Sequence, residues 1–193
     1  MEAHGLAPCK KTAARLVAHL VFVDESGFLL IPSVRKTWYP VGQTPLLRYR
    51  YRHDRIAAIA VSPKRVQCTL YGHLYEDNMQ GEDVLTFLRH LLRQVRGQLI
   101  VLLDNGTIHR GEPVQELLTR TSRLHVVSFP AYAPELNPDE GVWKHLKRAL
   151  ANGRPDTQAE LRDVLATEIG HLGASPHLLR RCIQHAGMSL LWP

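Results

Sequence analysis

Residues 99–103 read Leu-Ile-Val-Leu-Leu and run straight into Asp104. Five consecutive apolar side chains have no polar face, so an extended segment of this kind must be covered on both sides. The run is far too short to cross a bilayer. Immediately upstream, Val84, Leu85, Leu88, Leu91, Leu92 and Val95 recur at helical spacing. That helix opens on Gly81-Glu82-Asp83 and carries Arg89, Arg93 and Arg96 further on, charges that suit the two ends of its macrodipole. Gly97 stops it. A doubly covered strand preceded by an amphipathic helix points to a sheet flanked by helices on both faces.

The rest of the chain fits that plan. Leu20-Val21-Phe22-Val23-Asp24 reads as a second buried strand ending in an acid, and Ser26-Gly27 as a turn before a returning strand at 28–31. Residues 35–45 hold Trp38, two prolines and Gly42 and read as an irregular arm. Strands are expected at 56–61, 66–71 and 124–129, and a helix at 112–120. A rigid loop set by Pro130, Pro134 and Pro138 precedes a helix from Asp139 to Leu150. Two closing helices follow at 156–170 and 175–187, the first capped by Asp156 or Thr157. The first fifteen or so residues read as frayed or weakly helical. Strands first, then alternating elements, then helices make a mixed sheet in an α/β fold.

At 193 residues the chain is one domain's length and needs no disulfide or metal staple to fold. Its three cysteines, Cys9, Cys68 and Cys182, lie far apart with no C-x-x-C pair, which fits a reducing compartment. With no secretory signal and no span-length apolar run, the expected location is cytoplasmic. The net charge of +6 favours a polyanionic partner.

Three acids stand out. Asp24 and Asp104 each close a buried strand, and Glu140 lies in the first turn of a helix. Each alone is an ordinary turn, cap or first-turn residue. Converging, they would repel unless a divalent cation neutralised them, and oxygen donors suit Mg²⁺ or Mn²⁺.

The segments V-F-V-D-E-S-G (21–27), L-L-D-N-G-T-I-H-R (102–110) and P-A-Y-A-P-E-L-N-P-D-E-G-V-W-K-H-L-K (130–147) resemble the three catalytic blocks of DDE transposases. The resemblance is to the mariner superfamily, specifically its bacterial insertion-sequence branch, family number 630. The third block is the most specific, through Tyr132, Pro134, Leu136-Asn137-Pro138, Glu140, Trp143 and Leu146-Lys147. The 35 residues between Asp104 and Glu140 also suit that superfamily.

The resemblance implies a ribonuclease-H-like fold, a mixed five-stranded sheet flanked by helices on both faces. Residues 20–190 would be the catalytic domain and residues 1–19 a short N-terminal segment. It implies Asp24, Asp104 and Glu140 as catalytic residues and metal ligands for two Mg²⁺ or Mn²⁺ ions. The activity would be DNA strand cleavage at transposon ends followed by strand transfer into target DNA. His109, where the family usually has a histidine, would orient a phosphate or a ligand carboxylate, and also reads as a local hydrogen-bonding residue. Asn105 reads as a residue supporting the ligands or as a turn former with Gly106. Asp139 would be non-catalytic, and Glu25 should point away from Asp24 by strand alternation.

Candidate DNA contacts are Arg48, Arg50 and Arg52 on one face of an extended, tyrosine-interleaved segment, which also reads as a charged edge strand. Others are Arg35 and Lys36 in the arm, and Lys144, Lys147 and Arg148 on the Glu140 helix, where they also read as ordinary helix-surface charges. Family relatives carry a helix-turn-helix domain before the first acid, and only 23 residues precede Asp24 here. That domain is therefore expected to be absent, either encoded in a separate reading frame joined by frameshifting or lost in a truncated copy. A homodimer, or a partner supplying a helix-turn-helix domain, is the expected arrangement. The alternative is an inactive transposase remnant that binds DNA or dimerises as a regulator. A His109-based hydrolase lacks a G-x-S-x-G nucleophile elbow.

Overall fold

The computed structural model describes residues 7–28, 30, 38, 40–42, 59–63, 68–75, 79–104, 106–130, 133–151, 155 and 157–187. Strands β1 (His19–Asp24), β2 (Ile59–Pro63), β3 (Cys68–Gly72), β4 (Leu99–Leu103) and β5 (Leu124–Ser128) form one sheet in the order β3-β2-β1-β4-β5. β1 pairs parallel to β4, and β4 parallel to β5. β2 runs antiparallel to both β1 and β3, so the sheet is mixed. The helices are α1 (Ala7–Leu16), α2 (Gly81–Gln94), α3 (Glu112–Arg120), α4 (Asp139–Ala149), α5 (Gln158–Gly173) and α6 (Pro176–His185).

All five residues of β4 are buried. Alternation splits its side chains between two cores. Ile100 and Leu102 join Leu20 and Phe22 of β1 beneath α4, α5 and α6, where Val142, Trp143, Leu146, Leu161, Leu165, Leu179 and Ile183 pack. Leu99, Val101 and Leu103 join Val21 and Val23 against Val84, Phe87, Leu88 and Leu91 of α2 and Val114 and Leu117 of α3. The unbroken apolar run is the consequence of helices on both faces.

Two ends are closed by specific groups. Thr157 caps α5, its hydroxyl accepting from Glu160 N at 3.2 Å. The Arg123 guanidinium donates to the carbonyls of Leu92, Val95 and Gly97, satisfying acceptors that the end of α2 leaves open. The first was legible as a cap; the second comes from a residue 31 positions from Leu92.

The expected returning strand at 28–31 is not formed at its described positions. Phe28 is irregular and Leu30 lies in a bend, yet both are buried in the α4–α6 core. Their apolar character serves packing rather than pairing, and β1 instead takes β2 as its antiparallel neighbour. The weakly helical N-terminus is a ten-residue helix, anchored by buried Cys9 and Ala13. No described helix is long and apolar enough to cross a membrane.

Candidate active site

Because β1 and β4 are parallel neighbours, their C-terminal ends lie at one edge of the sheet. Asp24 is the last residue of β1, and Asp104 directly follows β4. Glu140 sits in the first turn of α4, which packs on β1.

Asp24 is held on both oxygens. Its Oδ2 accepts from Asn137 Nδ2 and from Trp143 Nε1, each at 2.9 Å, and its Oδ1 accepts from Glu25 N at 2.9 Å. Burial pushes its pKa up, and the charges of Glu25 and Glu140 add to that, while the Trp143 and Glu25 hydrogen bonds oppose it; the outcome is about 6. Glu140 is therefore close enough to Asp24 to be felt as a like charge.

Asp104 is held by its own loop. Oδ1 accepts from Gly106 N at 2.8 Å and lies 2.8 Å from His109 Nε2. A Cβ at Gly106 would fall 2.8 Å from that same Oδ1 and 3.1 Å from the His109 ring, so only glycine fits between them. His109, on a 3-10 turn at Thr107–Arg110, is 4% exposed and also lies 3.3 Å from Glu25 Oε1. Both carboxylates thus lie within reach of the same ring nitrogen, although neither contact has the alignment of a full hydrogen bond. Burial lowers the His109 pKa, but Glu25 and Asp104 outweigh it and the net shift is upward.

Glu25 corrects a sequence expectation. Alternation predicts that it turns away from Asp24, but β1 ends at Asp24, and beyond the strand that rule no longer holds. Glu25 reaches His109 instead, and so ties the end of β1 to the loop after β4. Asn137 and Trp143 were legible only as a motif residue and an apolar-stripe residue. Trp143 is indeed buried, edge-on to Phe28 with ring centroids 5.8 Å apart, but its indole N–H faces the carboxylate. A buried indole donor needs an acceptor, which was the available signal.

Asp139 is fully buried at the start of α4; burial raises the pKa of Cys182 on α6, and the Asp139 charge adds to it. Lys144, Lys147 and Arg148 are exposed on α4. Asn105, Arg35, Lys36, Arg48, Arg50 and Arg52 lie outside the described residues.

The donors here are carboxylate oxygens, which suit a hard divalent cation. The build-up of negative charge around Asp24 is what such an ion would relieve. Among the described residues, no group of three or more His, Cys, Asp or Glu side chains is already arranged as a metal cage. The donor chemistry fits a hard divalent cation.

The layout is a mixed α/β fold with acids at the ends of two central strands and in the first turn of a following helix. Residues 19–162 match the DDE superfamily endonuclease family, and the chain belongs to it. Among solved structures, it is similar to a Mos1 transposase paired-end complex with the left transposon end: TM-score 0.61 at 19% identity, over 97% of this chain and 61% of the other. A Mos1 mariner paired-end complex with Mn gives TM-score 0.60 at 19% identity, over 96% and 61%. The Mos1 mariner catalytic domain alone gives 0.50 at 16% identity, over 98% and 97%. The chain thus spans about three fifths of the Mos1 chains in the paired-end complexes, and nearly all of the isolated catalytic domain. No curated protein sequence matches it.

Proposed function

We propose that this chain is the ribonuclease-H-like catalytic domain of a DDE transposase, cleaving DNA strands at transposon ends and joining them to target DNA. The observation that carries the reading is the placement of Asp24 and Asp104 at the ends of paired parallel strands, with Glu140 in the first turn of the helix that packs on β1. Family membership and the likeness to the Mos1 catalytic domain support it. The insertion-sequence branch numbered 630 is the finer assignment, resting on the Leu136-Asn137-Pro138 to Trp143 pattern.

In this reading Asp24, Asp104 and Glu140 hold two Mg²⁺ or Mn²⁺ ions. Bound there, the ions would make a water or a 3′-hydroxyl a better nucleophile at neutral pH and stabilise the leaving oxygen. The protein's own task is placement. Asp24 is kept ionisable at the floor of the site by the donors on its two oxygens. Asp104 is restrained by the Gly106 N–H and His109. Lys144, Lys147 and Arg148, exposed along the Glu140 helix, would take DNA phosphates. In this reading DNA is the partner.

The test is strand transfer with pre-cut transposon-end DNA and Mn²⁺. Wild-type protein should give joined product, and Asp104→Ala should give none while melting near the wild-type temperature. Metal-dependent cleavage surviving in Asp104→Ala would sink the assignment. DNA binding without any joining by the wild type would favour the inactive-remnant reading.

A further inference from the structure

The Asp24 carboxylate is more tightly determined than its position alone requires. A carboxylate offers about four lone-pair sites. Asn137 Nδ2 and Trp143 Nε1 use two on Oδ2, and Glu25 N uses one on Oδ1. Among the described residues this leaves a single open site, on Oδ1.

Both side-chain donors are themselves fixed. Asn137 Oδ1 accepts from Asp139 N at 3.1 Å, so its amide can point its N–H at Asp24 in only one orientation. Asn137 also accepts from Glu140 N through its main-chain carbonyl, at 3.3 Å. One residue therefore joins the start of the Glu140 helix to the end of β1. Trp143 is fixed by packing: it is 2% exposed and lies edge-on to Phe28. Donors locked in this way set the rotation of a carboxylate, as outer hydrogen bonds do for metal ligands in general.

We propose that Asn137 and Trp143 are positioning residues for the reaction, locking the Asp24 carboxylate so that Oδ1 is the oxygen offered to a divalent cation. The premise is the metal-binding role of Asp24 set out above. Trp143 would then serve two ends, filling the core with its ring and orienting a ligand with its N–H.

The test separates those two roles and uses the full chain. Trp143→Phe keeps a ring against Phe28 and removes the N–H, whereas Asn137→Ala removes the other donor. Calorimetric titration with MnCl₂ alone should show affinity weakened on the order of 10-fold or more in each variant. The melting temperature of metal-free Trp143→Phe should stay within a few degrees of wild type. In wild-type protein the Trp143 indole ¹H–¹⁵N resonance should shift on adding MgCl₂. Wild-type Mn²⁺ affinity in both variants, or an indole resonance indifferent to Mg²⁺, would overturn the proposal. Asp24→Ala is the control. If it binds Mn²⁺ like wild type, the metal-ligand premise itself is wrong. If it loses binding while the two variants keep theirs, the positioning role alone falls.

Discussion

The two aspartates at the sheet edge are held in opposite ways. Asp24 is largely buried, and its side-chain donors lie 113 and 119 residues further along the chain. Asp104 is 54% exposed, and its contacts come from Gly106 and His109 in its own loop. One half of the site exists only when α4 has docked on β1. The other is formed by a single loop and joined to its neighbour through Glu25. Damage to the Asp24 half should therefore appear as lost stability, and damage to the Asp104 half as lost activity in a well-folded protein.

The largest effect should come from Trp143→Ala, which empties a core position and strips a buried carboxylate of a donor. A loss of about 3–5 kcal/mol is expected for an aromatic truncation of this kind, read by urea unfolding. A loss under 1 kcal/mol would mean that the Asp24 half is not built into the core. Next is pH. Asp24 titrates near 3.8 unfolded and about 6 folded, so the native state binds its proton more tightly. Metal-free stability should then fall as pH rises from about 4 to 6, by at most roughly 3 kcal/mol. Asp24→Asn should flatten that window. His109, also shifted upward, stabilises the fold when protonated, and its contribution is lost as pH rises above about 6.5. The two windows are separable in one pH series.

Gly106→Ala should do the reverse of Trp143→Ala. Its new Cβ meets Asp104 Oδ1 and the His109 ring, and a displacement on the ångström scale costs roughly 100-fold in rate. Stability should change by about 1 kcal/mol or less, since the loop is at the surface. Equal losses of both would erase the contrast between the halves. The smallest effect belongs to Glu25→Gln. Removing that charge should lower the Asp24 pKa and reduce the upward shift of His109 together, followed by NMR titration. A change in only one of them would show that Glu25 does not couple the halves.

This asymmetry also decides what could be read from the sequence. The α2 period, the β4 run and the Thr157 cap are local patterns, and they appear within a residue or two of their expected places. That Asp24, Asp104 and Glu140 lie at the ends of elements was legible because such ends can be located from local pattern. The indole donor on Asp24 was not, because an amphipathic stripe shows that Trp143 is buried without showing what its N–H meets. Phe28 and Leu30 misled for a related reason: apolar residues just after a strand can enter the core without extending it. Arg35, Lys36, Arg48, Arg50 and Arg52, chosen for charge, lie outside the described residues.

Gly141 directly follows Glu140, and a Cβ there would fall 2.9 Å from both Cβ and Sγ of Cys182 on α6. α4 and α6 thus touch at the very residue beside the third acid, with no side chain to act as a spacer. α6 is then the anvil on which the Glu140 turn is seated. Any bulk added at 141 or 182 would push the Glu140 turn off α6, so its seat is gauged from behind, by a helix that carries none of the three candidate acids.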